Sequence, residues 1–454
     1  MKNEILARYF SNVFLIGLSP SVNIFNRKID EEIPVKEYSI FTHEYWHFLM
    51  NISTTVRVRD FALFYQLFPI FSKTLTEEGN GMSDTSVLTA EDKILLSQIN
   101  DMFIAYNEGG IDNPEELEIN NFRIVSEVLG EDAHLTLRDC KVPFKRSKVK
   151  IEFDTPQGIS QKYMYLNSDY IEESIANSIE KIIYDDGDSI PEIPYLMLSK
   201  LSAYFNGEPL SNYELACIGT LSLLTTNPAL SLNSLFKDYK ALRGFHTMQE
   251  SIDRLSDEIK PIFSQISNII LEDLISILKV YENREPSYQA IKRVYEKIEM
   301  CLYYRERDLL FELNAFRNNI LNKEILNYLV FKMVNPCDVL QERQGDENLV
   351  NRDFIKSFET DNIKVNSHDV LPYFLNQIMN CQLNYLKAHW AMFALMDSRI
   401  ATSKCPYYTV CDLPNRIINT DRCLNKPWEN FVKNGDNCVY GHAVGNLVGI
   451  SGLK

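Results

Sequence analysis

The sequence predicts a mainly α-helical protein with one small antiparallel β-sheet, an α+β fold, and three observations carry that reading. From Tyr195 to about Ile400, charged and apolar residues recur at three- and four-residue intervals, as in IKRVYEKIEMCLYYRERDLLFELNAF. Between Ala133 and Tyr165, the segments HLTLRD, VKIEF and YMYLN carry β-branched and aromatic residues in partial alternation, separated by Pro143 and Pro156–Gly158. After Ser403 the helix signals thin out, and four of the nine cysteines fall in that tail. A chain of 454 residues has room for several units. The expected division is 1–240 for a core with the small sheet, 241–402 for a helical domain and 403–454 for a cysteine-rich metal-binding tail.

The elements follow in order. Phe10 to Phe25 (FSNVFLIGLSPSVNIF) reads as two short strands around a Ser-Pro turn. Val35 to Ile52 reads as a helix with Pro34 at its first turn. Arg59 to Thr76 is a second apolar helix, and Glu77 to Ser86 a loop. Ser168 to Ile183 (SDYIEESIANSIEKII) is an amphipathic helix that Ser168 or Asp169 could cap. Asp186 to Pro191 and Gln341 to Asp353 are the clearest loops.

Composition narrows the function. Net charge is −16, so nucleic-acid binding by bulk charge is not expected, because phosphate neutralisation needs an excess of Lys and Arg. The one basic run, Lys141 to Lys150 (KVPFKRSKVK), reads as a solvated strand and turn. No apolar stretch reaches the roughly 18 residues of a membrane span. Glu4 and Arg8 interrupt the first segment, so no signal peptide is expected. Odd, unevenly spaced cysteines suit a reducing compartment, and the expected location is cytoplasmic.

The chain spends two of its seven histidines in THEYWHFLMNIST, Thr42 to Thr54. On a helix His43 and His47 share one face, as two ligands of a tetrahedral zinc ion must. Glu44 is rotated by about 100° from His43. It can reach a metal-activated water as general base without being a ligand. Tyr38, Ile40, Phe41, Tyr45, Trp46, Phe48, Leu49 and Met50 make the helix apolar nearly all round. Three ionisable groups buried there need partners or a metal.

HEYWH resembles the HExxH motif of the zincin metallopeptidases. In the gluzincins, which include thermolysin and the zinc aminopeptidases, a glutamate from a second helix is the third ligand. Ile171-Glu172-Glu173-Ser174-Ile175-Ala176-Asn177 is similar to that second motif, with Glu173 at the ligand position. Glu172 stands where the family usually has Asn, and helical periodicity by itself favours Glu172 as the inward carboxylate. Asn177 falls where thermolysin has an aspartate that orients a ligand histidine. The resemblance implies a zincin-like core, a substrate backbone held on a sheet edge, for which VKIEF (Val149 to Phe153) is the candidate, and a His or Tyr that stabilises the oxyanion. His368 and His389 are candidates for that role. The resemblance covers about 20 residues, and the separation of His47 from Glu173 is longer than is usual in the family.

The tail reads C-x5-C-x11-C-x14-C through Cys405, Cys411, Cys423 and Cys438. Four thiolates could close a structural zinc site or hold an iron–sulfur cluster, and His442 could replace one of them. Cys140, Cys217, Cys301, Cys337 and Cys381 read as core thiols.

The expected function is a zinc peptidase acting on a protein or peptide substrate, and a bacterial toxin or phage-defence effector dedicated to one target would fit the large non-catalytic portion. A non-catalytic, zincin-like binding protein and a metal-dependent hydrolase of another bond are the alternatives. No membrane or nucleic-acid partner is expected, and oligomeric state is left open.

Overall fold

The computed structural model of the protein describes residues 6–10, 14–22, 24, 33–73, 85–107, 121–137, 140–155, 158–185, 187, 191–284, 287–333, 338–342, 352–354, 377–385, 404–408, 420–430 and 438–448. Helices dominate, and a small antiparallel sheet is present, as expected. A second sheet accompanies it.

The N-terminal strands are β1 (Ala7–Phe10) and β2 (Leu15–Leu18), paired antiparallel. They start earlier than expected, and Ser19-Pro20 follows β2 instead of separating the strands. Two strands overlap the ends of the expected loop, Gln341 to Asp353. β6 (Asp338–Glu342) pairs parallel to β2, and β7 (Arg352–Phe354) pairs antiparallel to β6. Among the described residues the sheet order is β1-β2-β6-β7, with β1 at its edge.

Helix α1 (Val35–Ser53) begins after Pro34, whose fixed φ suits a helix start. It is buried almost all round: Phe41, Tyr45, Trp46, Phe48 and Met50 belong to the core, and the Tyr45 hydroxyl donates to Leu329 O at 2.8 Å. Thr54 is extended and separates α1 from α2 (Thr55–Ser72). Arg305, fully buried, donates to Ser53 O from Nε at 2.8 Å and pairs with the buried Glu312. A guanidinium at that position satisfies a terminal carbonyl and complements the negative end of the α1 dipole. Helix α3 (Ala90–Asn107) follows.

The second sheet is β3 (Arg123–Leu137), β4 (Cys140–Thr155) and β5 (Gly158–Tyr165), in the order β3-β4-β5. It begins about ten residues before the expected start, at Arg123. β4 is the central strand and pairs on both sides, so VKIEF, Val149 to Phe153, cannot offer a free edge to a substrate.

Helix α4 (Ser168–Ile183) has its expected bounds, but the cap is Asn167, whose Oδ1 accepts from Tyr170 N at 2.8 Å. Ile171, Ile175 and Ile179, spaced by four, are fully buried. The single turn α5 (Glu192–Tyr195) and α6 (Met197–Asn206) lead to α7 (Asn212–Leu223), which opens with a reciprocal Ser211–Glu214 capping box. Gly219 lets α7 approach α4 closely: a Cβ there would lie 2.8 Å from Ile175 Cγ1.

Next come α8 (Pro228–Arg243), α9 (Met248–Tyr281), α10 (Ser287–Arg307), a 3-10 segment (Phe311–Asn319) and α11 (Lys323–Met333). Position 240, expected to end the first unit, falls inside α8. Buried apolar residues from Phe14 to Val444 form one continuous cluster, and β2–β6 pairing joins residues 15–18 to residues 338–341. A boundary there would cut a helix and a core. α9 is long and apolar enough to cross a membrane by length and composition alone, but it lays Ile252, Leu255, Phe263, Ile270 and Leu274 into the common core. The tail is not devoid of helix. It contains α12 (Thr420–Asn425) and α13 (Val439–Val448), beside a helical segment at 377–385.

Candidate metal centre

Helices α1 and α4 pack against each other, and the side chains they bring together are the predicted ones. His43 Nε2 lies 3.4 Å from His47 Nε2 and 3.5 Å from Glu173 Oε2, and His47 Nε2 lies 3.4 Å from Glu173 Oε2. The three donor atoms form a nearly equilateral triangle. A tetrahedral ion with bonds of about 2.0–2.1 Å has ligand–ligand edges of about 3.3–3.4 Å, so the triangle fits zinc. An octahedral ion with the same bonds has adjacent edges of only about 2.8–3.0 Å, which fits less well. Two imidazoles and one carboxylate leave a fourth tetrahedral position open, as a catalytic site needs.

Burial is graded across the triangle. The His43 and His47 side chains are 10% and 11% exposed, whereas Glu173 is 32% exposed, so the site opens to solvent on the α4 side. Tyr9 flanks His47 with its ring nearly parallel, centroids 6.3 Å apart.

The choice between the two adjacent carboxylates is resolved by what each touches. Glu172 is buried and faces away from the histidines: its Oε1 accepts from Arg57 Nε at 2.5 Å and its Oε2 from Arg57 Nη2 at 3.1 Å. Arg57 also holds Asp60 and Asp169. Glu172 therefore ties α4 to α2, and Glu173 is the carboxylate at the metal centre.

The outer partner differs from expectation. His43 Nδ1 is 2.9 Å from Glu180 Oε2, a distance that suits an Nδ1–H donated to that carboxylate and would leave the Nε2 lone pair for a metal ion. Asn177 does not orient His43. Its Nδ2 donates to Tyr195 O at 3.2 Å and ties α4 to the following turn. Glu180 is seven residues beyond Glu173 and on the same helix face, which is the sequence signal that would have found it. We expect Glu180→Ala to weaken zinc binding about 10–100-fold, the usual cost of removing such a partner, with the fold intact by circular dichroism. Competition with a chelator of known affinity measures it. Unchanged affinity would remove Glu180 from the site.

Glu44 has its Oε2 held by the backbone N–H of Tyr9 in β1. Burial raises its pKa above the usual carboxylate range, against the lowering effect of His43 and His47. Tyr195 brings a phenol to the site: its ring centroid is 6.1 Å from that of His43. Burial, then the negative charges of Glu173, Glu44 and Glu180, push its pKa up to about 12, so the hydroxyl keeps its proton. No pattern in the sequence marked Tyr195, because it follows α4 on an irregular turn.

No family model, curated protein or solved structure matches the chain. The chemistry of the site therefore rests on its own geometry.

Without metal, the centre stores protons. Burial works to lower the His43 pKa, but hydrogen bonds to Glu173 and Glu180 and the nearby Glu44 push it up to about 10. His47 is raised as well, against burial, by the charge and hydrogen bond of Glu173. His43 is cationic at pH 7 in that state, and a metal needs it neutral. Metal binding must then release at least the His43 proton, so apparent affinity rises by about tenfold per pH unit below the His43 pKa. Calorimetry in buffers of different ionisation enthalpy counts those protons. Binding without proton release would contradict the charge state described.

Of the remaining predicted residues, Cys411, His368 and His389 lie outside the described residues. Cys405, Cys423 and Cys438 are not joined in disulfides among the described residues. Among the described residues, only His43, His47 and Glu173 form a group of three His, Cys, Asp or Glu donors all within 4.8 Å of one another. His442 lies just inside α13, its N–H bonded to Cys438 O at 3.0 Å.

Proposed function

We propose that the protein is a zinc-dependent peptidase acting on a protein or peptide substrate. The observation that carries this reading is the His43–His47–Glu173 triangle, sized for a tetrahedral ion, with a half-buried carboxylate, Glu44, on the same helix. A bound zinc ion supplies a Lewis acid for the scissile carbonyl and lowers the pKa of water toward neutrality. His43, His47 and Glu173 hold it, and Glu180 keeps the His43 tautomer fixed.

Glu44 is the general base. The Tyr9 N–H fixes one of its oxygens, and Oε1 takes the proton of the attacking water and passes it to the leaving amine. Its raised pKa suits both halves of that transfer. The Tyr195 hydroxyl, protonated at every physiological pH, is the donor for the developing oxyanion.

Leu6 O accepts from Ser19 N at 2.8 Å, so by the two-residue alternation Tyr9 turns its backbone N–H away from β2 and toward α1, where Glu44 accepts it.

The reading is tested by comparing cells that express the wild-type chain with cells that express Glu44→Gln and searching both for new protein N-termini. The expected result is one or a few N-termini dependent on Glu44. Identical profiles, with zinc present in the wild type, would overturn peptidase activity.

A further inference from the structure

The basic run of β4, expected as a solvated strand and turn, is one half of a surface that the metal centre does not use. Val149, Ile151 and Phe153 of β4 and Met164 of β5 are buried, and Ser147 Oγ accepts from Asn233 Nδ2 of α8 at 2.8 Å, so these positions define the inner face of the sheet. The two-residue alternation puts Arg146, Lys148 and Lys150 on the outer face. Lys148 pairs with Tyr165 and Lys150 with Tyr163, so both tyrosines share that face. The contacts agree. Arg146 Cζ lies 4.1 Å from the centre of the Tyr165 ring, and Lys148 Nζ lies 4.6 Å from the Tyr163 centre and 4.9 Å from the Tyr165 centre. Tyr163 is 47% exposed, and Tyr165 is half-buried.

The charge on this face is not neutralised. Among the described residues, Lys148 and Lys150 are in no ion pair with a carboxylate. Glu152 and Asp154 continue the same row of β4, but Glu152 already accepts from Arg123 and Gln161. A cation over a ring keeps its charge and its N–H donors, because the ring offers only its quadrupole. The chain carries a net charge of −16, yet screening limits the reach of exposed charges to about 8 Å at physiological ionic strength. Arg146 to Lys150 extends about 13 Å along the strand, so an anion lying on β4 meets three cations before it meets the charge of the chain as a whole. Tyr163 and Tyr165 stand about 6.6 Å apart along β5 and present two neighbouring rings.

We propose that the outer face of β4 and β5 binds single-stranded nucleic acid, with Tyr163 and Tyr165 stacking on successive bases and Arg146, Lys148 and Lys150 taking the phosphates. The pairing of rings with cations selects this partner among anions. An acidic peptide or an anionic lipid surface uses the cations and leaves the rings without a role. A duplex presents phosphates but keeps the faces of its bases stacked inside. A single strand offers negative charge and π-faces together, and every base has such a face, so binding is expected with little sequence preference. Lys148 now sits over both rings. Its flexible four-carbon stem lets the ammonium move to a phosphate as a base takes its place. The surface is separate from the His43 centre and does not rest on its function.

Fluorescence anisotropy of the full chain with labelled oligothymidylate and oligouridylate, over a range of salt concentrations, tests the surface. Three phosphate contacts at about −0.7 each give a slope of about −2 in log K against log salt. Lys148→Ala should make that slope shallower by about 0.7. Tyr163→Ala should weaken binding about tenfold at unchanged slope, and Tyr163→Phe, which keeps a ring, should restore it. The wild-type chain decides even if a variant fails to fold. Unlabelled single strands should displace the probe, while duplex of equal length, polyglutamate and anionic phosphatidylserine vesicles should not do so at matched charge concentration. Absence of single-strand binding at low salt would overturn the proposal. So would wild-type affinity in Tyr163→Ala, or displacement by polyglutamate, vesicles or duplex as effective as by single strands, since the rings would then take no part.

Discussion

Glu44→Gln is expected to lower kcat/KM by about 10²- to 10⁴-fold while leaving the His43 centre loaded with zinc. At about 1.36 kcal/mol per decade, that is a barrier increase of about 3–5 kcal/mol. The substitution preserves shape. A glutamine oxygen accepts the Tyr9 N–H as the carboxylate does, so β1 stays on α1. The amide cannot take a proton, and nothing else on this face of α1 replaces it, because His43 and His47 are committed as ligands through Nε2. The same substitution relieves the burial of an ionised carboxylate, so stability should hold or rise slightly. The measurement pairs cleavage of the substrate found by N-terminal profiling with zinc content and melting temperature. Wild-type turnover in the variant would remove Glu44 from the chemistry. Loss of zinc together with activity would give it a structural role instead.

Much of this centre was legible before any coordinates, and the reason is local. HEYWH and the α4 pattern each put their residues on one helical face, and a helix preserves that relation wherever it packs. The second-sphere assignment failed by a matter of angle. At about 100° per residue, Asn177 is rotated by about 40° from Glu173, whereas Glu180 is rotated by only about 20° the other way. The family pattern pointed to Asn177; plain geometry pointed to Glu180, and Glu180 is what meets His43. Other features had no local trace. β6 is a five-residue strand whose partner β2 lies more than 300 positions away, so it looked like the margin of a loop. The alternation in VKIEF marks a strand but does not say whether both its sides are paired. Cys381 is fully buried in the core, as its apolar surroundings suggested.

Glu172 and Glu173 give the sharpest test of how the site is built, because neighbours in sequence should fail in opposite ways. Glu173→Gln is expected to strip the His43 centre of zinc, since an amide oxygen replaces the only anionic ligand, and to abolish turnover with it. The metal-depleted chain should lose less stability than Glu172→Ala does, because Glu173 is 32% exposed whereas Glu172 is buried. Glu172→Ala is expected to keep zinc but to destabilise the chain by about 3 kcal/mol, the lower end of the range for breaking a buried pair. The lower end applies because Arg57 retains Asp60 and Asp169 after its main partner is gone. Burial raises the Glu172 pKa and Arg57 opposes that shift, so the pair exists as ions only while both members are present. Urea unfolding of metal-depleted protein, read beside zinc content, separates the two outcomes. If Glu172→Ala lost the metal and Glu173→Gln kept it, the helical periodicity of α4 would have named the ligand and the triangle at His43 would be the wrong site. With the outcomes as expected, α4 carries two adjacent carboxylates for two purposes: one fixes the helix on α2, and the other is thereby held about 3.4 Å from both histidine donors.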